Sequence, residues 1–384
     1  MQVYLDNSAT TKPCEQAVNA MLQSMRKNYY NPSALYTPAM QAENEIRNAQ
    51  RVIAKSLCAN EKNVIFTSGG TESDNLAILG YMQHQRTTGE LLYTAAEHPA
   101  VKNACLEAEI RFGCVAREIP LEKSGTVDLS SLESMLGAQT QMLCVMQVCN
   151  ETGVTMPLAE ICALRDRLAP QAAIHVDGVQ GYLREPFSLK EYGVQSYALS
   201  GHKIHGPKGV GALVLSDDMR VHPQMLGGGQ QGNLRSGTEN TSGISGLCAA
   251  VEAYPQNASV VMRALKQQLV NQLKAALPQM VLLGLPADHA MSAGHVLSVA
   301  FPPVRAETLL HALEAEGIYV GTGSACSSKK GKHSAVLTAM KQLPAIMEGA
   351  IRISLCPTLT TDEMLYTGEK IIEKVTLLQK FARR

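Results

Sequence analysis

The sequence predicts an α/β protein with a mostly parallel central sheet covered by helices, plus a smaller α+β domain. Three observations point there. Between Val64 and Leu215, short apolar runs alternate with helical stretches, the rhythm of strands joined by crossover helices. After about Pro255 that rhythm gives way to runs of strand and helix. The length, 384 residues, exceeds one small domain and suits one large domain with a second, smaller one. We expect residues 15–255 to form the large domain and residues 1–14 with 256–384 the small one.

In chain order, a short strand precedes the polar turn Leu5-Asp6-Asn7-Ser8-Ala9-Thr10-Thr11. Asn31-Pro32-Ser33 reads as a loop, and a long amphipathic helix runs from about Thr37 to Leu57. Val64-Ile65-Phe66-Thr67 is a strand. Ser68-Gly69-Gly70-Thr71-Glu72-Ser73 then opens a helix through Leu76, Leu79 and Met82. Leu91 to Thr94 is a strand, and Pro99 starts the next helix where proline is favoured. Val115–Ile119, Met142–Val148 and Ala173–Val176 read as further strands, separated by helices near 129–137 and 158–168. Tyr197-Ala198-Leu199 and Ala212-Leu213-Val214-Leu215 flank a sharp turn containing Lys203. Later come a helix from Val260 to Leu277, strands near Val281 and over Val296–Phe301 stopped by Pro302-Pro303, and a helix from Ala306 to Glu316. The strand Ala350–Leu355 and a last helix from Thr361 end the pattern. Gly227–Gly232 and Gly321–Lys332 read as flexible loops.

Composition excludes several classes of function. Lys+Arg and Asp+Glu are equal at 34 each, so no charge excess points to direct nucleic-acid binding or to a membrane surface. No apolar run approaches membrane-spanning length. The start Met1-Gln2-Val3-Tyr4-Leu5-Asp6 lacks the basic and apolar parts of an export signal, so a cytoplasmic location is expected. Ten cysteines stand at irregular spacings that fit neither a structural zinc site nor a disulfide framework. Cys105, Cys144, Cys162 and Cys248 lie in apolar runs, where a free cysteine behaves as a small hydrophobe.

Ligands of open α/β sheets bind beyond the carboxyl ends of the strands. There the chain offers Gly70-Thr71, His98, Asn150, Asp177 with Gln180, and Lys203. Lys203 is either a surface lysine or an amine that a dry pocket keeps neutral to react with a carbonyl-bearing cofactor. Ser200 and His202 beside it suit an anion such as a phosphate. Gly70 and Thr71 at a helix N-terminus suit a phosphate as well, or only a cap. Asp177 is a capping carboxylate, or the partner of a buried cation such as a protonated ring nitrogen. His98 could stack on a ring, carry a proton or be structural. Cys326, in Ser324-Ala325-Cys326-Ser327-Ser328, is an incidental loop cysteine or a thiolate favoured by Lys329, Lys330, Lys332 and His333.

Taken together, the motifs resemble the cysteine desulfurases of the nitrogen-fixation and iron–sulfur-cluster type, pyridoxal-phosphate enzymes of fold type I in the class V aminotransferase group. The resemblance runs nearly end to end. It rests on Tyr4-Leu5-Asp6-Asn7, Asn31-Pro32-Ser33, Thr67-Ser68-Gly69-Gly70-Thr71-Glu72-Ser73, Glu97-His98, Asn150-Glu151-Thr152-Gly153, His175-Val176-Asp177 with Gln180, Ser200-Gly201-His202-Lys203, Arg235-Ser236-Gly237-Thr238, Gly323-Ser324-Ala325-Cys326 and Arg352-Ile353-Ser354-Leu355.

The resemblance implies that L-cysteine is converted to L-alanine while its sulfur passes to Cys326 as a persulfide. Lys203 would hold pyridoxal 5'-phosphate and move the Cα proton. Asp177 would pair with the ring nitrogen, Gln180 with the ring oxygen, and His98 would stack and handle protons. Gly70, Thr71, Ser200 and His202 would bind the phosphate, with Thr238 reaching in from the second subunit of a homodimer. Asn31, Asn150 and Arg352 would hold the substrate carboxylate. The Cys326 loop would move, to reach substrate and then a sulfur-acceptor protein, either a cluster scaffold or a tRNA-thiolation enzyme.

The chain departs from the family pattern in four places, one of them the Lys-Lys-Gly-Lys content of the long loop after Cys326. Ala34-Leu35-Tyr36 places a tyrosine where the family usually has a histidine. Cys356-Pro357 stands where glycine is usual. Housekeeping members carry a longer tail that docks the scaffold, and this chain ends soon after its final helix, which leaves the acceptor open. A selenocysteine lyase or other pyridoxal-phosphate β-lyase is the alternative enzyme. A non-catalytic sulfur-carrier subunit is the alternative of another class, which the intact Lys203, Asp177 and His98 oppose.

Overall fold

The computed structural model describes residues 1–85, 88–322 and 333–382. Its strands are β1 (Val3–Leu5), β2 (Val64–Thr67), β3 (Glu90–Thr94), β4 (Val115–Ile119), β5 (Thr140–Met146), β6 (Ala173–Asp177), β7 (Ser196–Ser200), β8 (Gly211–Leu215), β9 (Val281–Leu282), β10 (Val296–Ala300), β11 (Ile318–Thr322) and β12 (Ala350–Ser354). A seven-stranded sheet has the order β2-β8-β7-β6-β5-β3-β4. Its neighbours from β4 through β7 are parallel. Only β8 runs against the rest, pairing antiparallel with both β7 and β2.

Both faces of this sheet are buried, which explains its nearly continuous apolar strands. On one face Leu143, Val145, Tyr197 and Leu199 pack with Ile46, Ile53 and Leu57 of the helix Thr37–Ser56. On the other, Met142, Cys144 and Leu213 meet Leu76, Ile78 and Leu79 of Gly70–His84 and Val101 of Pro99–Phe112. Cys105, Cys144, Cys162 and Cys248 are buried free thiols, as their apolar surroundings in the sequence suggested.

A five-stranded sheet, β1-β11-β12-β10-β9, carries a separate core. Leu269 and Leu273 of Ala258–Ala276, Leu309 and Leu313 of Ala306–Glu314, and Ile371 and Val375 of Thr361–Ala382 cover it. β1 comes from the far end of the chain and pairs parallel with β11, Val3 opposite Ile318. The first residues are thereby bound to the late part of the chain, and the segment that follows β1 crosses toward the large sheet. Among the described residues no helix is long and apolar enough to cross a membrane.

The structure adds elements that the pattern did not reveal. The helix Glu15–Lys27 buries only Ala17 and Ser24, and its apolar stripe of Val18, Met21, Leu22 and Met25 stays largely exposed. It packs against Thr241–Ala253, a helix of small residues. A Cβ on Gly246 would meet Met21 Cγ at 2.6 Å, a contact distance that only glycine allows. Gly321 belongs to strand β11, paired with Arg352, rather than to a loop. The Gly227–Gly232 loop is tied down as well: the Phe66 N–H at the β2 edge donates to Gln231 Oε1 at 2.9 Å, and Arg235 Nε donates to Glu72 Oε1 at 2.8 Å.

Gly178 follows the end of β6, and a Cβ there would lie 1.9 Å from Tyr197 Cζ. Tyr197 is fully buried and donates its hydroxyl to Gln147 Oε1 at 2.6 Å, so the ring has no room to withdraw. Gly178→Ala should destabilise the fold by about 1–3 kcal/mol or more, the usual range for overpacking. A denaturant midpoint equal to that of the unsubstituted protein would contradict this packing.

Candidate active site

Five parallel strand ends deliver the candidate residues to one edge of the large sheet. β2 ends at Thr67, before Gly69 and Gly70. β3 ends at Thr94, before Glu97 and His98. β5 leads to Asn150, β6 ends on Asp177, and β7 ends on Ser200. Gly211, the first residue of β8, pairs with both Thr67 and Ser200. A Cβ on Gly211 would strike Leu199 O at 2.5 Å and Gly69 Cα at 2.7 Å. The turn at Gly69 and the turn at Ser200 therefore lie against each other across a residue that must be glycine.

Gly69 has φ of 153° and precedes the helix Gly70–His84. A Cβ on Gly70 would fall 2.4 Å from Val179 Cγ2 and 3.9 Å from Ser200 Cβ. This leaves helix N–H groups facing a bare cradle beside the Ser200 hydroxyl, a natural seat for a phosphate. Thr71 is exposed in the first turn of that helix. His202 is half-buried, with Nδ1 3.1 Å from Thr10 Oγ1. Burial pushes it down to about 4, and Lys203, Lys208 and Arg184 add to that, so it is a neutral donor or acceptor rather than a cation.

Lys203 closes a 3₁₀ turn, Gly201–Lys203, directly after β7. Its Nζ donates to Ser8 O at 2.6 Å and Ala9 O at 2.9 Å. Burial pushes its amine down to about 8, with Arg184 and Arg352 adding to the effect and Asp177 and Asp6 opposing it. An amine so biased is a nucleophile and proton carrier near neutral pH.

Asp177 is buried, and its Oδ1 accepts from the Val179 N–H at 2.9 Å. Burial raises its carboxyl above the usual range, against the pull of His98 and Lys203. His98 caps the helix Pro99–Phe112, its Nδ1 accepting from the Ala100 N–H at 3.1 Å. That bond leaves Nε2 to carry the ring proton in the neutral form. One side of the ring is open, yet the surrounding protein removes enough water to lower its basicity, and Lys203 acts in the same direction.

Gln180 is buried. Its Nε2 donates to Ser8 O at 2.9 Å, and its Oε1 accepts from Arg184 Nη1 at 2.8 Å. Arg352 of β12 is also buried; Nη1 donates to Asn150 O at 3.1 Å and Nη2 to Asp6 Oδ1 at 2.7 Å. Its Nε is a buried donor with no partner in the structure. Asn150 and Arg352 thus meet. Asn31 does not join them: it is exposed, and its Oδ1 accepts from the Ser33 N–H at 3.0 Å. Thr238 is exposed, outside the Lys203 cluster of its own chain. Cys326, with Lys329, Lys330 and Lys332, lies outside the described residues.

Several functional neighbours went unnoticed in the sequence. Asp6, Ser8 and Ala9 stand in a quoted motif but had no role assigned. Arg184 lies four residues beyond Gln180, and Glu97 next to His98. Asp74 Oδ1 is 3.1 Å from His175 Nε2, and His175 Nδ1 is 2.9 Å from Ser196 Oγ. This buried chain pins the helix Gly70–His84 to β6 and β7. Burial pushes His175 down to about 3 and Asp74 well above the usual carboxyl range. The period-2 pattern could have flagged His175, two residues before Asp177 and on the same face of β6.

The arrangement fits a phosphorylated aromatic aldehyde. It offers a glycine cradle with a hydroxyl for the phosphate, a buried carboxylate in need of a positive ring nitrogen, and an amine biased toward its neutral form. The family model for class-V aminotransferases matches residues 3–366. A cysteine desulfurase of Nostoc sp. is 34% identical over 386 aligned positions, covering 99% of this chain and 95% of that protein. The cysteine desulfurase NifS of Azotobacter vinelandii is 34% identical, covering 97% of this chain and 91% of its own. A solved structure described as a NifS-like protein superposes with a TM-score of 0.90 at 31% identity, over 98% of this chain and all of that one.

Glu97 supplies a pH test of the site. It is buried, its Oε1 accepts from Thr94 Oγ1 at 2.6 Å and from the Met146 N–H at 2.7 Å, and burial pushes its carboxyl up to about 8. The folded state then binds a proton that the unfolded chain has lost above its ordinary value of 4.5. Its contribution is fully present below that value and is lost as pH rises toward 8. Glu97→Gln keeps both acceptor contacts and cannot ionise, so its stability should decline less than that of the unsubstituted protein between pH 5 and pH 8. Parallel pH–stability curves would show that Glu97 is ionised in the folded protein.

Proposed function

The chain belongs to the class-V aminotransferases, among the cysteine desulfurases, and from that premise we propose that it converts L-cysteine to L-alanine and passes the sulfur through Cys326 to an acceptor protein. The enzyme depends on pyridoxal phosphate. The observation that carries the reading is Lys203, an amine held by backbone carbonyls and biased toward its neutral form at the carboxyl end of β7. When bound, the cofactor supplies the electron sink that loosens bonds at the substrate's Cα and Cβ.

This chain's residues then divide the work. Lys203 holds the cofactor and moves the Cα proton. Asp177 pairs with the ring nitrogen, which offsets the cost of its burial. Gln180 offers its NH2 to the ring oxygen, and His98 stacks and exchanges protons through Nε2. Gly70, Thr71, Ser200 and His202 hold the phosphate, joined by Thr238 of a second copy. Arg352, with Asn150, binds the substrate carboxylate; its unpartnered buried Nε supports the role, whereas Asn31, exposed and turned to the Ser33 N–H, takes no part in it within its own chain. The Cys326 thiolate attacks the substrate sulfur. The S–S bond forms as the Cβ–S bond breaks, the electron pair goes to Cβ, and Cβ takes a proton to give alanine.

The same reading takes the enzyme as a cytoplasmic homodimer. Exposed apolar side chains favour an interface: Leu22 and Met25 on Glu15–Lys27, Leu35 at 99% exposure and Leu226 at 82%. It also takes residues 15–255 as the cofactor-binding domain and residues 1–14 with 256–384 as the small domain, a division that the two sheets and their separate cores support. The acceptor is a cluster scaffold or a tRNA-thiolation enzyme.

The test is alanine release from L-cysteine under reductant, with the visible spectrum read alongside. Lys203→Ala should lose the yellow band and slow alanine formation by on the order of 10²–10⁴-fold, the usual worth of a positioned proton-transfer group. Cys326→Ser should keep the band and lose sulfur delivery to the acceptor. Wild-type sulfur delivery by Cys326→Ser would overturn the reading.

The shared site has its own test. Mixing Lys203→Ala protein with a Thr238→Ala variant should restore part of the activity through hybrid dimers. A fully active monomer by light scattering would exclude a site shared between copies.

A further inference from the structure

Arg184 is 3% exposed, in the successive turns that follow β6. A buried guanidinium normally has a carboxylate partner, because taking the charge out of water is costly. Among the described residues Arg184 forms no ion pair. It donates instead to neutral oxygens of two residues. Nη1 donates to Gln180 Oε1 at 2.8 Å and to Gln180 O at 3.4 Å, and Nη2 donates to Lys203 O. Both residues belong to the candidate site.

Two consequences follow from the chemistry of arginine. It has donors only. The atom of the Gln180 amide that meets it must be the oxygen, which settles an orientation that the amide alone leaves ambiguous. The other end of the amide is NH2, already donating to Ser8 O at 2.9 Å, and NH2 is what Gln180 can offer a ring oxygen. The second consequence is the charge itself. Six charged or titratable groups act on or respond to Lys203: Arg184, Arg352, Asp177, Asp6, His98 and His202. The two histidines are biased toward neutrality by burial. The Arg352 charge is balanced by Asp6 at 2.7 Å. Arg184 has no such carboxylate partner among the described residues, and its charge adds to the downward bias of Lys203.

We propose that Arg184 is a positioning residue of this site: it turns the Gln180 amide so that NH2 faces the cofactor, and it anchors the Lys203 turn through its carbonyl. The charge it brings there bears on the Lys203 amine. This rests on the roles of Lys203 and Gln180 proposed above. A purely structural arginine would fill the same space and leave the titration of Lys203 alone.

The experiment measures the pH dependence of Lys203 acetylation by acetic anhydride in the full-length protein freed of cofactor, read by mass spectrometry. The unsubstituted protein should show a midpoint near 8. In Arg184→Gln the midpoint should rise by about one pH unit, the usual effect of one nearby charge. Arg184→Lys, which keeps the charge, should stay at the wild-type midpoint. A folded Arg184→Gln with an unmoved midpoint overturns the proposal, as does an Arg184→Lys that shifts as far as Arg184→Gln. Should Arg184→Gln not fold, Arg184→Lys decides. A wild-type midpoint together with an altered visible band after loading with pyridoxal phosphate supports the role, and a midpoint displaced by a unit overturns it. Failure of the cofactor reading would appear separately, as wild-type protein that shows no visible band on addition of pyridoxal phosphate.

Discussion

The Lys203 amine is held by two peptide carbonyls, Ser8 O and Ala9 O, and not by a carboxylate. That single choice shapes the site. A carboxylate at the same place would stabilise the ammonium and make the amine a poor nucleophile. Carbonyls accept the proton-bearing nitrogen without fixing its charge, so burial and nearby cations can bias it toward neutrality. The carbonyls come from the segment that leaves β1, and β1 is a strand of the small sheet. The position of the lysine therefore depends on both sheets. The Asn7 amide donates to Ser354 O at 2.9 Å, the Thr11 N–H donates to His202 O at 2.9 Å, and the His205 N–H donates to Thr11 Oγ1 at 2.8 Å. Residues 6–11 are a strap between the strand that carries Arg352 and the turn that carries Lys203.

The electrostatics of the cluster follow from burial more than from pairing. Asp74, Glu97 and Asp177 are buried carboxyls, each raised first of all by loss of water. Three ionised carboxylates so close would repel strongly, and protonating some of them relieves that cost. Of the three, Asp177 has His98 and Lys203 pulling it back toward ionisation. It is thus the member best placed to remain an anion and to meet a cationic ring. Asp74 meets His175, and Glu97 Oε1 accepts from Thr94 and the Met146 N–H, while its Oε2 is buried without a partner among the described residues. They act as neutral hydrogen-bonding struts under the strand ends, and a second negative charge on them would weaken the specificity of the Asp177 position.

What was legible in the sequence, and what was not, divides along physical lines. The strands from Val64 to Leu215 were readable because burial on both faces demands short, uniformly apolar runs. The residues after them were readable because a polar or glycine residue at a strand end has few bland explanations when many occur in order. The helix Thr241–Ala253 escaped notice because it is made largely of small residues with no strong polar face, whereas Glu15–Lys27 carried a legible stripe, Val18, Met21, Leu22 and Met25, that went unread. β11 escaped because Gly321 imitates a loop. Asp6 escaped because its partner, Arg352, is distant in the chain, and Arg184 because one of its two partners, Lys203 O, is distant as well. A pairing of that kind has no periodicity to betray it.

The glycines show why a sequence motif can look like flexibility and mean the reverse. A Cβ on Gly321 would lie 2.6 Å from Asp6 Oδ1 and 3.1 Å from Arg352 Nη2, the two atoms of the ion pair that orients Arg352. A Cβ on Gly211 would push into the Gly69 turn, and one on Gly70 into Val179. At each of these places glycine lets the backbone approach another backbone, an apolar side chain or a charged pair closer than any side chain permits. The turn at Gly69 and the Arg352–Asp6 pair are both built on such approaches. Their geometry is set by what the glycines leave out, so alanine at Gly211 or Gly321 would push on polar atoms, Leu199 O or Asp6 Oδ1, and alanine at Gly70 on Val179.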